Sequence, residues 1–345
     1  MIEKHNTTVL FHGPVQIFKS TYGTGLNLAV YPDDRAVVDF LSKGAIEPII
    51  ESLVTTLVQD GFFCLDLGTN YGHLAIAMSL KAGESGEVHA YDATSIVGGY
   101  AELNVLLNGL ENRNIHFYNF AISDNSNSSI LFDGSTNSYL GKVSSQYDLA
   151  HIKYSAISFF PAIKALFPYL GLFIPYQVPT ISVDEIMKQN GNKLVDFLRA
   201  DIEGSECKML LGAQQTIAAS PNIIIFMEWE PQPIKRTSSF SEAKQCVDFL
   251  KNEKFNILKL NYGDYDDTTL RLSKDSLIPV QIDTLLNFTD QALKGEYILM
   301  RHFDSKIAEL CGACTKEDLG IELYDERSSQ DLNIADDHYS LHTDL

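Results

Sequence analysis

The chain has 345 residues, 45% of them hydrophobic and 21% charged, a balance ordinary for a soluble globular protein and long enough to bury a large core. Its 45 acids against 26 bases leave a net charge of −19. That argues against a nucleic-acid backbone as substrate, since such a site concentrates positive charge, and favours small molecules. The opening MIEKHNTTVLFHG carries charges and a histidine where a signal peptide needs an unbroken apolar core, so a cytoplasmic location is expected. Cysteines at 64, 207, 246, 311 and 314 form no disulfide framework. Cys311 and Cys314 make a single C-x-x-C without further ligands, and read as two thiols on a helix face.

In chain order, residues 1–45 read as an N-terminal cap, with Tyr22-Gly-Thr-Gly25 and the turn Tyr31-Pro-Asp-Asp-Arg35 between short β-like runs. Residues 46–59 have apolar positions at helical spacing, closed by Asp60-Gly61. The stretch Phe62–Ala77, FFCLDLGTNYGHLAIA, predicts a buried parallel strand, a tight turn and a helix. Gly68 and Gly72 allow close approach of a ligand to backbone, Asn70 tolerates a left-handed conformation, and the helix N-terminus favours an anionic group. The spacing Asp66-x-Gly68-x-Asn70-x-Gly72 lacks the third glycine of the dinucleotide fingerprint. The next strand, Glu87–Tyr91, ends in Asp92 roughly 20 residues past the turn, where an acid can accept ribose hydroxyl protons. Together these residues resemble motif I and the acidic residue of class I S-adenosylmethionine (SAM) methyltransferases. The resemblance implies SAM as cofactor, held by Asp66, Gly68, Thr69, Asn70, Gly72, Asp92 and Ala93.

A helix over Ser95–Asn108 with Gly109 as its C-terminal cap leads to a third strand, Ile115–Phe120, and the turn Ala121-Ile-Ser-Asp124. The segment AELNVLLNGLENRNIHFYNFAISD resembles the FkbM family of methyltransferases, with its L-N-x-x-x-N-G-L pattern and Ala-Ile-Ser turn. The resemblance implies that Asn119, Ala121 and Ile122 line the adenine, with no acid at Asn119 to hold the exocyclic amine. Residues 125–178 interrupt the alternation, with an Asn- and Ser-rich loop around a strand at Ser129–Phe132. The aromatic run Ser158–Tyr176, SFFPAIKALFPYLGLFIPY, is broken by three prolines and Lys164, so it reads as short helical pieces, a lid or core rather than a membrane span.

The pattern resumes at Val178 with a strand and a short helix capped by Asp184. Val195–Ala200 is the fourth main strand, delivering Asp201-Ile-Glu203-Gly204 at its C-terminal end, where ligands of open α/β sheets bind. The segment VDFLRADIEGSECKMLLGA resembles the most diagnostic FkbM stretch, although family members usually have Lys where Arg199 stands. Ile223–Met227 is a fifth strand ending in Glu228-Trp-Glu230, Phe240–Asn252 an amphipathic helix, Phe255–Leu260 a sixth strand. An acidic loop with a helical segment follows, then Glu296–Arg301 as the seventh strand. From residue 304 a helix leads into an acidic tail.

The resemblance spans about residues 28–303. It implies an α/β, Rossmann-like class I methyltransferase fold, a seven-stranded mostly parallel sheet with helices on both faces, in a domain over 46–303 with the insertion at 125–178. The implied function is SAM-dependent O-methylation of a hydroxyl on a sugar or polyketide-like small molecule. Asp201, Glu203 and Glu228 are the catalytic candidates, because they belong on adjacent strand ends facing the sulfonium, and Asp201 is also a cofactor candidate. Asp201 could instead bond the following helix N-terminus, and Glu203 could balance its dipole. Magnesium between Asp201 and Glu228 is conceivable, but no metal site is expected. His12, His73 and His302 are alternative bases. A nicotinamide-dependent oxidoreductase and a non-catalytic SAM-binding protein are the rival readings.

Overall fold

The computed structural model describes residues 15–302, apart from 22, 33, 134–141, 144–175, 261–276 and 289–293. Its centre is an eight-stranded sheet. β3 (Phe63–Leu67), β4 (Glu87–Asp92), β5 (Ile115–Asn119), β10 (Phe197–Ala200) and β11 (Ile224–Trp229) run parallel. β14 (Gly295–Met300) inserts antiparallel between β11 and β12 (Asn256–Leu260), and β13 (Leu277–Val280) adds an edge beyond β12. The order is β13-β12-β14-β11-β10-β3-β4-β5. The seven expected strands are all present. The eighth, β13, lies in the stretch read from sequence as an acidic loop with a helical segment.

The chain starts at β3 and moves outward to β4 and β5, then returns to β10 on the other side. This reversal leaves a crevice between the C-terminal ends of β3 and β10, the place where such sheets bind ligands. The central strands can sit there because they are apolar on both faces. All five residues of β3 are buried, with Phe63, Leu65 and Leu67 in the core on one face and Cys64 in that on the other.

Helices fill both layers: α2 (Pro48–Leu57), α3 (His73–Ala82), α4 (Ser95–Leu107), α5 (Val183–Gln189), α6 (Glu206–Leu211), α7 (Gln214–Ala219), α8 (Pro231–Thr237) and α9 (Phe240–Asn252). A further helix, α1 (Arg35–Lys43), was not expected. The expected turn leads straight into it: the Asp34 N–H donates to the Tyr31 carbonyl, and the Asp34 carboxylate accepts the Ala36 N–H as a cap. Ala36 and Phe40 give it a buried side, while Val38 and Leu41 are 61% and 75% exposed. Asp184 also differs from its expected role. Ser182 caps α5, whereas Asp184 reaches across to accept the backbone N–H groups of Gln215 and Thr216 at the start of α7.

The N-terminal strands β1 (Gln16–Lys19) and β2 (Asn27–Val30) form a separate hairpin, stitched to the domain by α4. Asn104, fully buried, accepts the Ala29 N–H at 2.6 Å and donates to the carbonyls of Ala29 and Tyr71. One turn on, Asn108 exchanges the same pair of bonds with Asn27. The spacing follows from geometry, because helix positions four apart and strand positions two apart each repeat along one face. The two asparagines of the L-N-x-x-x-N-G-L pattern therefore act as a clamp on the edge of β2.

A small second sheet, in the order β6-β9-β7-β8, joins Ala121–Ile122, Tyr176–Ile181, Ser129–Asp133 and Lys142–Val143. The strand expected at Ser129–Phe132 is its β7. Residues 158–175 of the aromatic run, the C-terminal segment with Cys311 and Cys314, and His12 lie outside the described residues. No helix among the described residues is long and apolar enough to cross a membrane.

Candidate active site

The turn after β3 is held by backbone bonds. The N–H groups of Gly68 and Thr69 both donate to the carbonyl of Tyr91, and that of Asn70 to Asp92 Oδ2 at 2.9 Å. Asp92 Oδ1 accepts the Thr94 N–H at 2.7 Å, and Asn119 Nδ2 donates to the Asp92 carbonyl. Burial raises the Asp92 pKa, partly offset by these two N–H groups. Asn70 takes the left-handed conformation anticipated for it, at φ 52°.

The glycines have a packing role. A Cβ on Gly68 would fall 1.8 Å from the carbonyl oxygen of Asp201, and one on Gly72 would meet the Ala101 Cβ at 2.8 Å and the Phe117 ring at 3.0 Å. Both positions have positive φ, and the absence of a Cβ makes room for neighbouring protein atoms. Gly68 lets the β3 turn touch the β10 turn, and Gly72 lets α3 pack beside α4 and β5.

Arg199 organises the crevice. Its side chain is 6% exposed and donates to Asp201 Oδ2 at 2.6 Å, to the Gly68 carbonyl at 2.7 Å and to Asp66 Oδ1 at 3.4 Å, with Glu47 Oε2 at 4.0 Å. Burial opposes its charge, but Asp201, Asp66, Glu47 and Glu228 outweigh that and raise its pKa. Glu47 sits just before Pro48 with a left-handed backbone, its carboxylate 3.5 Å from His73 Nε2. Burial disfavours its charge, yet His73 and Arg199 hold its pKa below the usual value.

Around this guanidinium the acids outnumber the bases. Burial, then repulsion from Asp201, pushes the Glu228 carboxyl up to about 10, and the two acids hydrogen-bond to one another. Glu296, directly across on β14, adds a further like charge. Burial with repulsion from Asp201 and Glu206 pushes Glu203 up to about 8. Its backbone is left-handed at φ 54°, a costly conformation for a residue with a Cβ. Glu206, pushed up to about 7 by burial, accepts the N–H groups of Ile202 and Gly204 and so shapes the turn. That is the role the sequence left open for Asp201, which bonds Arg199 instead.

The structure thus brings Asp66, Asp201, Glu203 and Glu228 together at one end of the crevice, with Asp92, Asn70 and Thr69 on the neighbouring wall. Ala121 and Ile122 are buried, Ile122 within the main core, whereas Asn119 is exposed. His73 approaches the site through Glu47. His302 does not, because β14 is antiparallel and its C-terminal end lies at the start of β11, away from Asp201. Sequence reading missed Glu47 and gave Arg199 no role. A charged residue inside the apolar run VDFLRA was the available signal, since a buried guanidinium demands acidic partners.

Three buried polar atoms in the β3 turn have no partner within the described residues: Asp66 Oδ2, Thr69 Oγ1 and Asn70 Oδ1. α3 begins beside them with no side-chain cap on its N–H groups. Acceptors for hydroxyl and ammonium donors beside free N–H groups for a carboxylate fit the ribose and amino-acid ends of SAM.

Residues 66–257 match the family model described as the Methyltransferase FkbM domain. No curated protein matches the chain. Among solved structures, an O-methyltransferase from Bacillus cereus in complex with S-adenosylhomocysteine is 12% identical, over 78% of this chain and 91% of that one, at a TM-score of 0.38. A SAM-dependent O-methyltransferase from Thermotoga maritima is 12% identical over 84% and 77%, also at 0.38. Methyltransferase FkbM from Methylobacillus flagellatus is 13% identical over 56% and 42%, at 0.29. These structural likenesses are faint, and the assignment rests on the family match, which covers both glycine and carboxylate turns and more than half of the chain. The chain belongs to the FkbM family of SAM-dependent methyltransferases.

Proposed function

We propose that the protein transfers a methyl group from SAM to a hydroxyl of a small, uncharged, sugar- or polyketide-like acceptor, using the carboxylates around Arg199. The observation that carries this reading is the Asp201–Glu228 pair, two hydrogen-bonded acids at the crevice, one of them tied to Arg199. Bound SAM supplies an activated methyl on a sulfonium. The chain's residues have to hold the acceptor in line with it and take its proton. Positioning of this kind contributes on the order of 7 to 11 kcal/mol, and a general base a further 100 to 10,000-fold or so in rate.

Burial raises the Asp201 pKa and Arg199 opposes that shift, favouring the ionised form that can accept the acceptor's proton, while Glu228, protonated at neutral pH, donates a hydrogen bond. Glu203, at about 8, is a second hydroxyl-binding group at the same turn. Asp92 holds the ribose, with Asn70 and Thr69 beside it. Among the described residues the one guanidinium in the cluster is engaged by carboxylates and the Lys294 ammonium by Glu230, so an anionic acceptor finds no unpaired counter-charge there. Incubating the protein with SAM and a panel of neutral, amino and acidic polyols, and reading the products by mass spectrometry, tests the proposal. A gain of one methyl on neutral hydroxylated compounds is expected. Transfer confined to amines, or to carboxylate-bearing acceptors, would refute it.

A further inference from the structure

Away from the crevice, β4 and β5 carry a second cluster of chemistry-bearing side chains. Glu87 and His89 are two apart on β4 and so share a face, and the parallel register sets His89 level with His116 on β5. One donor atom from each of Glu87, His89 and His116 lies within 4.8 Å of the other two. His89 Nε2 is 2.7 Å from Glu87 Oε1, and the two imidazole rings meet edge to face at 5.1 Å. His89 is 2% exposed, and its Nδ1 has no partner within the described residues. Neither has the hydroxyl of Tyr91, next along the same face. The cluster is already occupied by a positive charge, for Lys193 Nζ lies 2.5 Å from Glu87 Oε2 and 5.3 Å from the Phe63 ring centroid. That side chain is 49% exposed and can swing into water.

We propose that Glu87, His89 and His116 form a binding site for a divalent transition metal of the zinc type, which displaces the Lys193 ammonium from Glu87. Two imidazole nitrogens and a carboxylate oxygen are the ligands zinc and its neighbours prefer, whereas magnesium takes oxygen alone. Bonds of about 2.0 to 2.1 Å place tetrahedral ligands roughly 3.3 Å apart. Glu87 and His116, both partly exposed, close that distance by rotating toward the fixed ring of His89, and water fills the fourth position. With the metal on Nε2, the proton of His89 moves to Nδ1. The ion would tie β4 to β5, the edge strand of the main sheet. Along β4 the site is about 10 Å from Asp92, so it acts on the stability of that edge and not on methyl transfer.

The test uses the whole protein, stripped with chelator and titrated with Zn2+ by calorimetry and with Co2+ by visible absorption. One ion per chain, a d–d absorption of four-coordinate intensity and a raised Tm are expected. His116→Gln should weaken binding by roughly tenfold or more, the scale on which metal sites respond to lost partners. Lys193→Gln, at an exposed position that leaves folding intact, should tighten it severalfold, because no ammonium has to be displaced. Absence of a d–d band in the wild-type protein overturns the proposal. So does unchanged or weakened binding in Lys193→Gln, which would make Lys193 a plain ion-pair partner.

Discussion

Two polar clusters in this protein are built on opposite terms. The Asn104 and Asn108 clamp on β2 is neutral, and its donors and acceptors pair within hydrogen-bond distance. The cluster around Arg199 gathers Asp66, Asp201, Glu47 and Glu228 about one guanidinium and leaves Asp66 Oδ2 buried without a partner among the described residues. The first closes a seam in the fold. The second, on the function proposed above, keeps charge, proton and hydrogen-bonding capacity in reserve for a ligand. The difference teaches where to look for chemistry, because a satisfied network has nothing left to offer a substrate, while an unsatisfied one is stable only as part of a site.

Four experiments bear on that contrast. The largest effect belongs to Asp201→Asn, which removes the charge and keeps the shape. Turnover should fall by about 100 to 10,000-fold while SAM affinity, read by calorimetry, stays within a few-fold. Wild-type turnover would pass the role to Glu203 or to His73 with Glu47. Arg199→Met comes next. It strands buried carboxylates and should cost about 3 to 5 kcal/mol in urea unfolding, and Arg199→Lys much less. An unchanged midpoint would erase the distinction between the two clusters. Asn104→Ala should cost about 1 to 3 kcal/mol by leaving the Ala29 and Tyr71 backbone groups unpaired, without changing SAM binding in the folded protein.

The last is a dependence on pH. Glu228 and Glu203 have folded pKa values raised to about 10 and about 8 from 4.5, so the native state holds their protons more tightly than the unfolded chain does. Their contribution is complete below pH 4.5 and is lost as pH rises through these folded values. The wild-type Tm should therefore decline from pH 5 toward pH 9, and Glu228→Gln should flatten that decline. An equal slope in the variant would mean that Glu228 ionises normally.

Much of this was legible beforehand because it depends on local pattern. The buried strands announce themselves by apolar runs, the β3 turn by Gly68, Asn70 and Gly72, and the carboxylates by their position at strand ends. What escaped depends on long-range packing. The space at Gly68 is defined by the carbonyl of Asp201, which no spacing rule connects to it. Glu47 enters the site because its own left-handed backbone before Pro48 turns it toward Arg199, and α1 hides because it is only nine residues long and starts directly at a turn. β13 falls in a stretch whose polar composition masks a strand of only four residues.

Arg199 also bears on the order in which the molecule can be assembled. Its partner Asp66 precedes it by 133 residues, and the Gly68 carbonyl by 131. A chain emerging from the ribosome therefore has β3, β4 and β5 available long before the cation that makes a buried Asp66 tolerable. Until residue 199 is synthesised, Asp66 must stay hydrated, and the middle of the sheet cannot dry out. The β2 hairpin can be fastened by Asn104 and Asn108 in the meantime. This makes the N-terminal half a docked but wet precursor, completed by a single arginine that arrives late.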